Sequence, residues 1–227
     1  MSFLPVTHVI FDMDGLILDS EKVYLESITE VLNRYGKVYT NDLRLKVMGT
    51  IPINTASIII KELGMEVAPN DLMAEFYINQ LEKMTNVPLM PGAEKLITHL
   101  HKSNVPIAVA TSSGKETFKV KTAIHQELFS KFHHIVLGSA DPEVKEGKPS
   151  PDIFLVCATR FKDKPNSKNC LVFEDAPNGV TAGIKAGMQV VMVPDKIIPI
   201  EKTTHATQVI TSLEDFKPED FGLPPFN

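Results

Sequence analysis

Cysteine is scarce in this chain. Only Cys157 and Cys170 occur in 227 residues, at a spacing that fits neither a metal-ligand nor a redox motif, so a reduced pair is expected. Long apolar runs are missing too: stretches such as Val190–Val193 and Ile197–Ile200 are strand-sized. They fall far short of the roughly 18 uncharged residues of a membrane span. The opening stretch, MSFLPVTHVIFDMDG, has no basic n-region and its apolar part runs straight into acids, so no secretory signal is expected. Positive charge is in deficit, with 23 Lys and Arg against 28 Asp and Glu, a net charge of −5 and a pI of about 5.8. No basic field is available to grip a nucleic acid backbone. These deficits point to a cytoplasmic protein that engages neither membrane nor nucleic acid and works on a small molecule; a monomer is expected, with an oligomer left open. With 43% apolar and 22% charged residues the composition is that of an ordinary globular protein.

What is present alternates. Short β-branched runs at His8–Phe11, Pro106–Ala110, His134–Leu137, Leu171–Phe173, Val190–Val193 and a weaker Gln208–Ile210 read as strands. They are continuously apolar, as strands buried on both faces are, and helical spacing separates them, for example in Ala93–Lys102 and Asp152–Phe161. The expected fold is a doubly wound, Rossmann-like α/β parallel sheet. One interval breaks the rhythm: more than ninety residues separate the first two strands, far more than a crossover needs. Apolar residues at three- and four-residue steps make Lys22–Tyr35, Leu43–Val47, Thr55–Leu63 and Leu72–Met84 helical. A helical domain, residues 17–86, is therefore expected as an insertion into an α/β core of residues 1–16 and 87–227. The closing Phe221-Gly222-Leu223-Pro224-Pro225 reads as an extended tail over the surface.

Chemistry gathers at the carboxyl ends of the strands, where open α/β sheets place their ligands. Asp12-Met13-Asp14-Gly15 ends the first strand with two carboxylates two residues apart. Such a pair suits a divalent cation, or a split into nucleophile and acid; a polar turn is the plainer alternative. Thr111-Ser112-Ser113-Gly114 ends the second strand with hydroxyls and amides suited to an anion, or else to capping the next helix. Lys148, between Gly147 and Pro149, is either a fixed positive charge or a solvated loop lysine. Glu174 and Asp175 end the fourth strand. Taken together, four carboxylates reach one edge of the sheet, and leaving them unpaired is costly. Oxygen-only ligands without thiolate or imidazole point to Mg²⁺. His133-His134 reads as structural, and the nine methionines as scattered core fillers.

Asp12-Met13-Asp14-Gly15, Thr111, Lys148 and Glu174-Asp175 resemble the four ordered motifs of the haloacid dehalogenase-like hydrolase superfamily, and the helical insertion is similar to that superfamily's cap domain. Longer stretches, including LMPGAEKLITHL, GKPSPDIF and LVFEDAPNGV, extend the likeness over nearly the whole chain. The resemblance implies that Asp12 is the nucleophile that forms an aspartyl-phosphate. Asp14 is then the general acid and later the base, its backbone carbonyl also binding Mg²⁺. The other implied metal ligands are Asp12 and Asp175, with Glu174 in or just outside the coordination sphere. Thr111, Ser112 and Ser113 would hold phosphoryl oxygens, and Lys148 would offset the negative charge. Dehalogenation at carbon needs no acid, and the dehalogenases of this superfamily lack one at the position of Asp14, so its presence argues for phosphate ester cleavage. The implied substrate is a small phosphomonoester, pseudouridine 5′-phosphate first; a sugar-phosphate or glycerol-phosphate phosphatase, a β-phosphoglucomutase-like phosphomutase and a catalytically silent binding protein are the alternatives. Glu21, Tyr24 and Met48-Gly49-Thr50 are candidates for touching the leaving group, with helix packing the plainer role for each. Asp19-Ser20-Glu21 reads as a helix cap and hinge.

Overall fold

The computed structural model describes residues 3–47 and 52–226. Strand β1 (His8–Phe11) is followed by helices α1 (Ser20–Arg34), α2 (Asn41–Val47), α3 (Pro52–Leu63) and α4 (Pro69–Lys83). Next come α5 (Ala93–Lys102), β2 (Ile107–Thr111), α6 (Lys115–Thr122), the short α7 (Gln126–Phe129) and β3 (His134–Leu137). The last elements are α8 (Asp152–Thr159), β4 (Cys170–Glu174), α9 (Pro177–Lys185), β5 (Gln189–Met192) and β6 (Gln208–Val209). No helix among the described residues is long and apolar enough to cross a membrane.

The strands form one parallel sheet in the order β3-β2-β1-β4-β5-β6, the doubly wound α/β fold expected from the alternation. Winding proceeds to one side through β2 and β3, then returns past β1 to β4. The crevice between β1 and β4 is therefore the topological switch point, where such sheets bind ligands. Register fixes what meets there: Phe11 lies beside Val109 and Phe173, so Asp12 emerges level with Ala110 and Glu174.

The two sheet faces pack differently. Ile10, Ala108, Ala110, Val136, Val172 and Val190 are buried against Phe154 and Cys157 of α8 and Val180 and Ala182 of α9. The opposite face is aromatic. Phe11 stacks on Phe173 with centroids 5.0 Å apart, and Phe216 meets Phe173 edge-on at 4.7 Å. Here the C-terminal segment departs from the expected surface tail. Phe221 and Leu223 are buried, and Phe221 stacks on Phe3 at 4.3 Å. Proline and glycine made this stretch look irregular, and it is; but its aromatic residue belongs to the core.

The chain divides into two compact units, one running to Asp19 and resuming at Pro88, the other Ser20–Val87. The helical unit has its own core, in which Ile28, Val31 and Leu32 of α1 cluster with Leu43, Ala56, Ile59, Leu72 and Phe76. Helix α1 begins at Ser20, whose hydroxyl is buried without a hydrogen-bond partner, so the cap position within Asp19-Ser20-Glu21 is Asp19.

Candidate active site

The side chains of interest in the α/β unit converge at the switch point because the ends of β1, β2 and β4 and the loop after β3 open on the same edge. Asp12 continues β1, its N–H donating to the Phe173 carbonyl at 3.0 Å. Gly15 then turns the chain with φ of 78°, a left-handed conformation that glycine adopts without strain, and donates to the Leu18 carbonyl at 2.9 Å. At the end of β4, Glu174 is buried and its Oε2 accepts the backbone N–H groups of Asp175 and Ala176 at 3.0 and 3.2 Å. Gly179 on α9 makes room for that carboxylate: a Cβ there would lie 1.8 Å from Glu174 Oε1.

Lys148 is not a solvated loop lysine. Its side chain is 10% exposed, and its Nζ lies 2.5 Å from Asp12 Oδ1 and 2.6 Å from Glu174 Oε1, and donates to the Ala110 carbonyl at 3.2 Å. The ring of Phe154 lies beneath it, centroid 5.0 Å away. The loop that carries Lys148 is tied down by Asp152. That carboxylate accepts the Ser150 hydroxyl at 2.8 Å and the backbone amides of Lys145 and Glu146 at 3.0 and 3.1 Å. The Ser150 bond and those amides hold Asp152 below the usual carboxylate range.

Charge is unevenly balanced at this point. Burial pushes the Asp12 carboxyl up to about 7; Lys148 pulls it down, while the charges of Glu174 and Asp14 push it further up. Burial alone would lower the Lys148 ammonium, but the carboxylates of Asp12 and Glu174 outweigh it and hold Lys148 above its ordinary value. One ammonium thus does not neutralise the acids around Asp12. Carboxylate oxygens of Asp12, Glu174 and Asp175 all lie within 4.8 Å of one another. An all-oxygen, charge-deficient set of this kind fits a hard divalent cation.

The second cluster of the site is built on β2 and α6. Thr111 is buried; its Oγ1 accepts the Ser113 N–H at 3.1 Å and donates to Asp14 Oδ2 at 3.5 Å. Ser113 Oγ donates to Asp14 Oδ2 at 2.8 Å. The capping alternative for these hydroxyls is not what the structure shows: Gly114 precedes α6 and no side chain caps it. Ser112 is exposed, and its carbonyl accepts the Ser139 hydroxyl at 2.6 Å. One residue escaped the sequence reading altogether: the Lys121 ammonium, fully buried, sits 2.6 Å from Asp14 Oδ1. The only signal for it is its position three residues after Phe118, on the inward side of α6.

Glu21 lies in the helical unit, on α1, where its carboxylate is 3.5 Å from the Arg44 guanidinium. Tyr24 is on the same helix, and Met48, Gly49 and Thr50 lie outside the described residues. His134 is structural, its Nε2 bonded to the Cys157 carbonyl at 2.9 Å.

Residues 9–193 match the haloacid dehalogenase-like hydrolase family, and the chain belongs to it. Among curated proteins it is 51% identical to a probable pseudouridine-5′-phosphatase of Drosophila melanogaster, over 97% of this chain and 96% of that one. It is 50% identical to (DL)-glycerol-3-phosphatase 2 of Arabidopsis thaliana, over 97% and 93% of the two chains. A haloacid dehalogenase family hydrolase of Deinococcus radiodurans, solved with phosphate and sodium bound, shares the fold with a TM-score of 0.81 at 22% identity, over 99% and 100% of the chains.

Proposed function

We propose that this chain is a Mg²⁺-dependent phosphatase of small phosphomonoesters that works through an aspartyl-phosphate on Asp12. The observation that carries the reading is the single ammonium of Lys148 bridging Asp12 and Glu174, with Asp175 beside them, at the switch point of the sheet. Asp12 attacks phosphorus as the ester oxygen leaves, and that oxygen takes its proton from Asp14. Water then attacks the phosphorus of the acyl phosphate and gives a proton to Asp14, which releases inorganic phosphate and restores the Asp12 carboxylate. Thr111, whose hydroxyl is only weakly engaged by Asp14 at 3.5 Å, and the exposed Ser112 hold phosphoryl oxygens, Ser113 being engaged with Asp14 and Thr111, and Lys148 lowers the repulsion between Asp12 and the incoming anion. Asp12, Glu174, Asp175 and the Asp14 carbonyl would hold Mg²⁺, which supplies Lewis-acid stabilisation of phosphoryl charge.

Pseudouridine 5′-phosphate is the substrate favoured by the 51% identity to the Drosophila protein. Glycerol 3-phosphate is the second reading, and the 50% identity to the Arabidopsis protein is what favours it. The helical unit Ser20–Val87, inserted between β1 and β2, is proposed as the cap that selects the leaving group. Phosphate release from pseudouridine 5′-phosphate, glycerol 3-phosphate and sugar phosphates, with Mg²⁺ and without any bisphosphate activator, tests the reading. We expect turnover that EDTA abolishes and Mg²⁺ restores. Full activity in EDTA removes the metal, and turnover only in the presence of a bisphosphate turns the reading to a mutase.

A further inference from the structure

Lys121 is the one charged group of the site that the reaction just described leaves without a task. It lies in the last turn of α6, where a lysine ordinarily extends its stem along the surface and keeps its ammonium in water. Here the side chain is 0% exposed. The Nζ reaches Asp14 Oδ1 at 2.6 Å and donates to Ser113 Oγ at 3.1 Å, while Ser113 Oγ donates to the other Asp14 oxygen at 2.8 Å. Taking an ammonium out of water costs several kcal/mol unless an opposing charge and good hydrogen bonds compensate. Replacing the whole pair by apolar residues would remove that cost, whereas removing Lys121 alone leaves Asp14 without its partner, so stability alone does not explain why a pair stands here. What the arrangement does achieve is geometric. Asp14 sits on the turn after β1 with a side chain 23% exposed, and a carboxylate so placed has several rotamers open toward solvent. Both of its oxygens are instead held, one by Lys121 and one by Ser113, in an orientation beside the buried Thr111 hydroxyl.

We propose that Lys121 is a positioning residue for phosphoryl transfer: together with Ser113 it fixes the Asp14 carboxylate next to the phosphoryl-binding end of β2. This rests on the reading of Asp14 as the proton donor and acceptor of the reaction. Proton transfer demands a donor within hydrogen-bond reach of the leaving oxygen, and a misplacement of about 1 Å lowers rates by on the order of a hundredfold. Lys121 does not touch substrate; it acts through Asp14.

The test is a kinetic cycle of the wild type, Lys121→Met, Asp14→Asn and the double variant, measuring phosphate release from p-nitrophenyl phosphate and glycerol 3-phosphate with Mg²⁺. Lys121→Met is expected to lower kcat by about 10- to 100-fold with KM changed less than about threefold. On the Asp14→Asn background the same change is expected to lower kcat by less than about twofold, because the group it orients is already gone. Unchanged kcat in Lys121→Met, or an equal loss on both backgrounds, overturns the proposal. Should Lys121→Met fail to melt cooperatively, Lys121→Arg enters the same cycle, since it keeps the charge but replaces the compact ammonium by a longer planar fork that shifts the carboxylate it binds. A loss confined to the Asp14 background supports the proposal, and full activity or an additive loss overturns it. A wild type inactive on both esters removes the phosphatase reading instead. The crystal structure of Lys121→Met, or of Lys121→Arg should Lys121→Met not fold, then decides: Asp14 displaced from Ser113 supports the positioning role, and Asp14 unmoved ends it.

Discussion

Asp12 concentrates the conflict on which this site runs. Burial and two neighbouring carboxylates hold its carboxyl up near 7, against an ordinary 3.8, although an ammonium lies at hydrogen-bond distance. The folded protein therefore binds a proton that the unfolded chain has released, throughout the range from about pH 4 to 7. Linkage gives the sign: raising pH through that range weakens the metal-free fold. Asn at position 12 has no such proton to lose. Melts in EDTA should thus show Asp12→Asn gaining on the wild type as pH goes from 5 to 8, and a gap that stays constant would contradict the raised pKa. The same variant should have lost phosphate release altogether while remaining folded by circular dichroism; appreciable residual turnover would take the nucleophile's role from Asp12. Of the residues gathered here, the acids at strand ends are legible because β1 and β4 announce themselves as apolar runs ending in Asp or Glu. Lys148 is ambiguous in its own hexapeptide and becomes informative only beside the acids. Lys121 is illegible because α6 offers so few apolar residues that its inward face is barely marked.

The strands were readable because parallel strands covered on both faces carry uninterrupted β-branched runs: His8–Phe11 and His134–Leu137 have the bounds their composition suggests. β4 extends one residue beyond its apolar run at each end, to Cys170 and Glu174, because its ladders with β1 and β5 continue there. That last rung is what draws Glu174 into the buried edge. The C-terminal segment is illegible for the opposite reason. Local composition sees Pro218, Gly222, Pro224 and Pro225 and reports a loop, whereas the partners of Phe221 are Phe3 and Phe216, distant or invisible to local patterning. The consequence is measurable. Phe221→Ala removes a fully buried ring and should destabilise by about 3–5 kcal/mol, lowering Tm by on the order of 10 °C. Because the change lies in the aromatic face and not at the strand ends, KM and kcat at a temperature where the variant stays folded should be near wild type. A melt unchanged within a degree or two would return the segment to the surface.

The α/β unit and the helical unit each bury their own apolar cluster, which is the physical condition for folding separately. How the chain leaves and re-enters the α/β unit makes this testable. The Asp19 N–H donates to the Pro88 carbonyl at 2.9 Å, the Met90 N–H donates to the Ile17 carbonyl at 2.8 Å, and Leu18 bridges Leu89. The excursion is therefore closed at its base by backbone bonds that belong to the α/β unit, and its two ends are near enough for a few residues to join them. Replacing Ser20–Val87 with a short Gly-Ser linker should leave a cooperatively melting protein, since loop-closure entropy changes little and no strand of the sheet is touched. Asp12, Asp14, Lys121, Lys148, Glu174 and Asp175 all remain in it. Added Mg²⁺ should consequently still raise its Tm, by the mass-action shift any ligand gives when it binds only the folded state. Discrimination between pseudouridine 5′-phosphate and glycerol 3-phosphate should vanish, because the unit proposed to select the leaving group is gone. A shortened protein that melts without a transition would show the α/β unit to depend on its insertion. One that folds, binds Mg²⁺ and still discriminates would place the choice of ester on the strand ends themselves.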